Sequence, residues 1–468
     1  MADRSRVVTS FDRRDFLRTL VGSSAAALLT PVHAAAGALA PARPRSSAEI
    51  VRRIVPPRFG PGAMHFGALV GRAGPADDVR DRLQGAIAEL SARGGGRVTV
   101  PAGQWRIGGP LRLYSGVELH LERDATLRFD ADPARYLPGV LTRWEGTECY
   151  NYSPFVYAYQ ASDVGITGAG TLDGNARESF ATWKPQQEAA QLRLREMGAR
   201  GTPVHERRFG AGDWLRPGFV QFFGCRHVLI EGITLVDSPF WVVHPVYCAH
   251  VIMRGTTVRS TNLNNDGIDP DSSRLVLVED AHFETGDDAV AIKSGRVADA
   301  WRVGVPSREI VIRRCRMPKV WNGVCIGSEM SGGVHDVHIE SCTLGTTRSA
   351  LLFKGNLDRG GAVTGVRVRD ITVQESITLL DFTTAYHGYR GGQFPPRFHD
   401  FEVDRLRCER TTLALRLVGD AGAPLEGIRL RDITVATAQR SHEVAHVRAL
   451  DARRVQINAR PVVLPASA

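Results

Sequence analysis

Between Val228 and Val435 one pattern recurs: apolar, any, apolar, two mostly polar or small residues, apolar or small, any, apolar. It reads VLIEGITL from Val228, VIMRGTTV from Val251, VLVEDAHF from Val276 and IVIRRCRM from Ile310. It continues as VHIESCTL from Val337, VRVRDITV from Val366, FEVDRLRC from Phe401 and IRLRDITV from Ile428. Alternation of this kind predicts a period-2 strand, a one-residue corner and a second period-2 strand in each copy. Successive starts differ by 23, 25, 34, 27, 29, 35 and 27 residues, the range in which repeats stack because none can bury a face alone. The period of two and the abundance of Val, Ile and Thr exclude helical repeats. The expected fold is all-β: a single-stranded right-handed parallel β-helix, one rung per copy, with rungs ~4.8 Å apart. Cys315 and Cys342 fall in the same inward slot of adjacent rungs, which predicts a cysteine stack in the core and no redox role.

The segments outside the pattern also carry expectations. PADDVRDRLQGAIAELSARGGG spaces Val79, Leu83, Ile87 and Leu90 along one helical face and stops at glycines. This predicts an N-terminal helix covering the open end of the stack, where strand edges would otherwise be unpaired. Residues 177–216 lack the coil pattern and contain the helical piece PQQEAAQLRLREMG, an excursion beside the cleft made by the outer loops. Residues 1–40 pair Arg13 with Arg14 before Phe16, Leu17, a short apolar run and small residues near Ala34. That is a twin-arginine export signal and linker, so the mature protein is expected in the periplasm or outside the cell. One β-helix domain over residues 55–460 follows.

Composition narrows the partners. The 468 residues carry a formal charge of +9 with a pI near 9.4, which favours a polyanionic partner. Without a basic helix or zinc-ligand spacing, an acidic polysaccharide is expected in place of nucleic acid. No stretch approaches the ~20 apolar residues of a membrane span, and the chain reads as a monomer. Seven cysteines are odd in number and cannot all pair within the chain.

The winding gives the acidic stretch NLNNDGIDPDSSRLVLVEDAHFETGDD its meaning. Asp287 and Asp288 follow Asp266 by 21 and 22 residues, about one coil. The three carboxylates should therefore share one face on neighbouring rungs, where mutual repulsion keeps at least one protonated near neutral pH. A proton for a leaving oxygen and a base for water are what glycosidic hydrolysis requires. Asp269 and Asp271 are read as ordinary turn residues.

VPAGQW, GAGTLDG, SPFWVVHP, NNDGIDPDS, TGDDAVAIKSG and IGSEMSGG occur in an order and spacing that resembles the polygalacturonases of glycoside hydrolase family 28, from about residue 66 to 435. The resemblance implies an inverting hydrolase on a pectate-lyase-like β-helix that needs no metal or other cofactor. It implies Asp287 as general acid, with Asp266 and Asp288 activating water. It assigns Asn264 to the motif around Asp266, Lys354 to a cationic motif and Tyr386 to a substrate-contacting tyrosine. Two departures stand out. The family's Gly-His-Gly histidine falls on Trp321 or Asn322, and the arginine of its Arg-Ile-Lys motif falls on Leu352. Arg359, five residues beyond Lys354, is the candidate for partial compensation of that lost bidentate carboxylate clamp. Lys293 and His244 are further candidates for the cleft, and Trp241 and Trp321 for sugar platforms.

The expected substrate is an acidic plant cell-wall polysaccharide or oligosaccharide. Exo-action is expected, because the 177–216 excursion could wall off one end of the cleft. Two alternatives stay open on sequence alone: a calcium-dependent β-helix lyase and a carbohydrate-binding β-helix without catalysis.

Overall fold

The structure is a computed structural model that describes residues 45–71, 74–387 and 391–467. The twin-arginine pattern of residues 1–40 lies outside them. The chain winds as a right-handed parallel β-helix. The eight sequence copies stack in register, start upon start: Val228 pairs with Val251, Val251 with Val276, and Val276 with Ile310. Ile310 then pairs with Val337, Val337 with Val366, Val366 with Phe401, and Phe401 with Ile428. A further rung, starting at Leu450, pairs with Ile428. On the other side the strands Gly62–His65, Gly96–Val100, Val117–Leu121 and Ser162–Gly168 extend the stack toward the N-terminus.

Each copy turns where the pattern relaxes to polar or small residues. The fifth residue of successive copies, Gly232, Gly255, Asp280, Arg314, Ser341, Asp370, Arg405 and Asp432, has φ between 53° and 77°. A left-handed residue bends the chain by one position, so the two half-strands of a rung face different sides of the helix. The next residue points inward and stacks along the axis: Ile233, Thr256, Ala281, Cys315, Cys342, Ile371, Leu406 and Ile433, all buried. The cysteines belong to this column, and all seven in the chain are free and buried. Each large aliphatic member contributes ~1.5–3 kcal/mol by leaving water.

The helix Arg80–Ala92 caps the first rungs and buries Leu83, Ala86, Ile87 and Leu90. At the other end Arg460–Pro461 turns back antiparallel on the strand Val447–Ile457, covering part of the last edge. The excursion contains the helix Glu188–Ala199, flanked by short 3-10 turns at Phe180–Trp183 and Val204–Glu206. Two further non-coil elements were not apparent in the sequence: an antiparallel hairpin, Val140–Trp144 with Thr147–Asn151, and the helix Val297–Val303. The helix Glu188–Ala199 packs against both.

Candidate active site

The rung that carries the acid pair is irregular. Thr285 is paired with Val320 and Asp288 with Asn322, so Gly286 and Asp287 together oppose the single residue Trp321. In a regular strand consecutive side chains point to opposite faces. The extra residue removes that alternation, as bulges do beside functional sites, and lets Asp287 and Asp288 converge. Glycine is required at 286, where a Cβ would lie 2.2 Å from the carbonyl oxygen of Asn262. Asp266 arrives from the preceding coil, and one carboxylate oxygen from each of Asp266, Asp287 and Asp288 lies within 4.8 Å of the others. The spacing argument from the sequence therefore holds at atomic distance.

The three acids have different surroundings. Asp288 is buried, and both of its oxygens are engaged: the Lys354 ammonium donates to Oδ2 at 2.8 Å and the Asn322 amide to Oδ1 at 2.8 Å. Burial pushes its pKa up, but Lys354 and Lys293 with these hydrogen bonds outweigh burial and hold it below the ordinary carboxylate value. Asp287 is partly exposed. Burial and the neighbouring Asp288 push it up to about 6, although Asn264 donates to its Oδ2 at 3.1 Å. Burial pushes Asp266 well above its usual value, and Asp269, Asp287 and Asp288 add to the rise against Lys293. Three carboxylates of unlike acidity thus occupy one basin: Asp288 loses its proton most readily, Asp287 holds one up to about pH 6, and Asp266 is pushed well above its usual value.

Asn264 is fixed from behind. Its Oδ1 accepts from Arg216 Nη2 at 2.7 Å, which leaves its Nδ2 to donate to Asp287. Arg216 is buried at the end of the excursion and also donates to Gln187 at 2.9 Å and the Leu263 carbonyl at 2.7 Å. Nothing in the sequence pattern marked Arg216, because its partners come from the excursion and from a loop.

The two lysines read as substrate contacts are counter-ions inside the site. Lys354 is tied to Asp288 and lies 4.8 Å from the Tyr386 ring centre. Lys293 sits 3.5 Å from Asp266, 3.4 Å from Asp269 and 3.6 Å from Glu329, under the Trp241 ring at 4.4 Å. Asp269 and Asp271 are likewise more than turn residues: Asp269 is buried against Lys293, and Asp271 is buried with Arg143 at 2.8 Å. His244 does not border the cleft. It is 2% exposed behind Trp241, taking a hydrogen bond from Gln221 at 2.9 Å and facing Asp271 at 3.4 Å. Trp241 is itself buried and covers Lys293 in place of offering a sugar platform.

The ambiguity over the missing histidine is resolved by register. Asn322 stands against Asp288 and bonds to it, whereas Trp321 points outward and is 53% exposed. The position of the missing arginine, Leu352, lies in a small apolar patch with Ala291 and Cys325, so no guanidinium replaces it there. Arg359 instead joins a charged knot at the far end of the basin. It donates to the Ser328 carbonyl at 2.8 Å and lies 3.8 Å from Glu329. Arg296 reaches Glu329 at 3.0 Å, and Arg195, from the excursion helix, reaches Glu145 of the hairpin at 2.7 Å. Three guanidiniums share two carboxylates. His387, stacked edge-on to Tyr386 at 4.1 Å, senses the same charges, and burial holds its pKa below the usual value.

Residues 205–453, more than half of the chain, match the model of glycosyl hydrolases family 28. The chain belongs to that family. It is a glycoside hydrolase of the polygalacturonase family. Among family 28 relatives, a probable polygalacturonase of Vitis vinifera is 29% identical over 399 residues, 81% of this chain and 76% of its own. The crystal structure of a hyperthermoactive exopolygalacturonase from Thermotoga maritima superposes with a TM-score of 0.85 at 37% identity, covering 88% of this chain and 96% of that one. The polygalacturonase of Erwinia carotovora ssp. carotovora shares the fold, with a TM-score of 0.62 at 22% identity over 85% of this chain and 98% of its own.

Proposed function

We propose that this family 28 chain hydrolyses the terminal glycosidic bond of a pectin-like acidic polysaccharide or oligosaccharide, with inversion. The observation that carries the reading is the division of labour between adjacent carboxylates. Asp287, with a pKa of about 6, gives its proton to the leaving oxygen, and Asp288, held ionised by Lys354, takes the proton of the attacking water. Asp266, whose proton burial and the neighbouring carboxylates hold more tightly than usual, orients that water by hydrogen bonding. Lys354 and Lys293 stabilise the carboxylate charge, and Tyr386 borders the sugar site.

The carboxylate oxygens approach to within 4.8 Å, tighter than the ~6.5–9.5 Å usual for inversion. Retention, however, needs a carboxylate free to attack the sugar. Both oxygens of Asp288 are hydrogen-bonded, and burial beside three other carboxylates disfavours the ionised form of Asp266, so each is a poor nucleophile. Direct attack by water is the reading these contacts favour. The calcium-dependent lyase is disfavoured by the donor set, because the Lys354 ammonium already neutralises Asp288 at 2.8 Å and the Lys293 ammonium stands 3.5 Å from Asp266, where a cation would have to bind.

The acidic substrate is supported by the knot of Arg195, Arg296 and Arg359, where positive charge exceeds negative and could receive a sugar carboxylate. Exo-action is supported by the three non-coil elements that meet there, the excursion helix, the hairpin and the helix Val297–Val303, and by the likeness to the Thermotoga exopolygalacturonase. The twin-arginine pattern supports export to the compartment where such polymers are met.

A reducing-sugar screen over galacturonan, rhamnogalacturonan and xylogalacturonan tests the reading. Monosaccharide as the early product, of opposite anomeric form to the bond cleaved and unaffected by chelator, is expected. A rapid fall in polymer viscosity would overturn exo-action, and unsaturated uronate products would overturn hydrolysis.

A further inference from the structure

The basin has a walled end and an open one. The guanidinium knot lies beyond the C-terminal ends of the strands that carry Asp288 and Lys354. Toward mid-strand, level with the Gly286–Asp287 bulge, the rungs after Asp287 present a different column. Trp321 opposes the Gly286–Asp287 bulge. The next rung places Arg348 beside Trp321, because Lys319 pairs with Thr346 and Asn322 with Ser349. The rung after that brings Ile377, between the paired residues Ser376 and Thr378.

Trp321 and Ile377, two rungs apart with Arg348 between them, are 53% and 55% exposed. The Arg348 guanidinium is also exposed and lies 5.8 Å from the Trp321 ring centre. The Trp321 backbone is anchored, its carbonyl accepting from the Thr347 hydroxyl at 3.1 Å. Packing does not explain an exposed indole at this place. Sugar recognition does: a flat ring offers its face to the C–H side of a pyranose, and a guanidinium beside it takes a carboxylate in two hydrogen bonds. The column begins at the acid that protonates the leaving oxygen, so it is continuous with the catalytic basin.

We propose that Trp321 and Arg348 form the subsite for the sugar on the leaving-group side, Trp321 stacking on the ring and Arg348 binding its carboxylate. The inference rests on the hydrolase reading above and adds to it an anionic leaving-group unit. It also gives the departure from the family motif a use: the residue beside Asn322 offers binding surface at the edge of the basin.

The test compares wild type, Trp321→Ala, Trp321→Phe and Arg348→Ala on di- and trigalacturonate and on the same oligomers with esterified carboxyls. Because both side chains are exposed, the variants should fold as wild type does. Trp321→Ala should raise KM about tenfold with kcat within about twofold, and Trp321→Phe should recover most of that loss. Arg348→Ala should raise KM several-fold for the free acids and leave the esters unchanged. Unchanged KM in Trp321→Ala, or equal effects of Arg348→Ala on acid and ester, overturns the subsite. Absence of wild-type turnover on every acidic oligomer instead overturns the parent reading, so the two failures are distinguishable.

Discussion

The acid basin and the outer corner of the C-terminal rungs are both columns of charge laid down by the same winding. At the corner, Asp370 and Arg405 sit in successive left-handed positions and meet in two hydrogen bonds, at 2.6 and 2.9 Å. Asp432 and Arg454 repeat the arrangement at 2.5 and 2.7 Å. In the basin, Lys354 and Asp288 meet at a similar 2.8 Å. Distance is therefore not what separates the two regions. The corner side chains are 38–64% exposed and the basin pair at most 5%. Water screens the first set, while the second interacts at low dielectric, where each neighbour changes the protonation of the next. Repetition supplies the columns, and burial gives one of them carboxylates of unlike acidity, as the proposed proton transfer requires.

The contrast breaks most completely at the acid itself. Asp287→Asn keeps the shape and the Asn264 contact but removes the proton, and kcat/KM should fall about 10²–10⁴-fold with the fold intact. The wild-type pH profile sharpens the same point. The proposed mechanism needs Asp287 protonated and Asp288 ionised, so the rate should fall as pH rises through about 6. It should also fall at low pH, below the ordinary carboxylate range, where Asp288 takes up a proton. These limbs belong to the coupled pair. Full activity of Asp287→Asn in a reducing-sugar assay would remove this residue from the acid role.

Lys354→Met comes next. It leaves a buried carboxylate without its ammonium, a change that costs about 3–5 kcal/mol when a buried pair is broken. Lys354 lowers both Asp288 and Asp287, so its loss raises both. The acidic and alkaline limbs of the profile should move together to higher pH, with kcat reduced. If neither limb moves, the ammonium does not set the protonation of the pair.

Much of this was legible in the sequence, for a physical reason. The core column is dictated by period-2 alternation, and because the winding is regular, counting residues along it located Asp266 opposite Asp287 and Asp288. Register could not be counted where the regularity fails. The bulge at Gly286 and Asp287 hides in a rung whose length is already variable, and it decided between Trp321 and Asn322. Lys293 and Lys354 lie among the acids, whereas His244 is packed behind Trp241, because whether a side chain faces solvent or a buried partner depends on side chains from other coils. Arg216, Arg195, Glu145 and Arg296 were missed altogether. They come from elements with no repeat, and only the folded chain brings them to the basin.

Gly286→Ala probes the bulge directly. Its new methyl would stand 2.2 Å from one carbonyl oxygen and 2.6 Å from another, and a tight backbone cannot yield as a flexible side chain does. Overpacking of this kind costs about 1–3 kcal/mol. The displacement should separate Asp287 from Asp288, so activity should drop more than stability does. Equal losses at Gly286 and at an ordinary buried position, compared by thermal melting and kcat, would mean the bulge serves folding alone.

The smallest effect belongs to the corner. Arg405→Ala removes the guanidinium that bridges Asp370 and neighbours Asp404. Asp370 is held below its ordinary value chiefly by its hydrogen bonds to Arg405, yet both groups remain in water, and exposed pairs of this kind contribute little to stability. The melting temperature and kcat/KM should stay at wild-type values in 0.15 M salt, and the pH profile should keep both limbs in place. The left-handed backbone at 405, with φ near 53°, adds nothing to any loss, since arginine and alanine both carry a Cβ and meet the same strain there. Arg405→Gly separates these contributions: it deletes the charge and relieves the backbone at once. If Arg405→Ala melts with wild type and Arg405→Gly melts no lower, the exposed ladder contributes nothing; if both fall together, the ladder is worth more than its solvation allows and the contrast with the basin is one of degree.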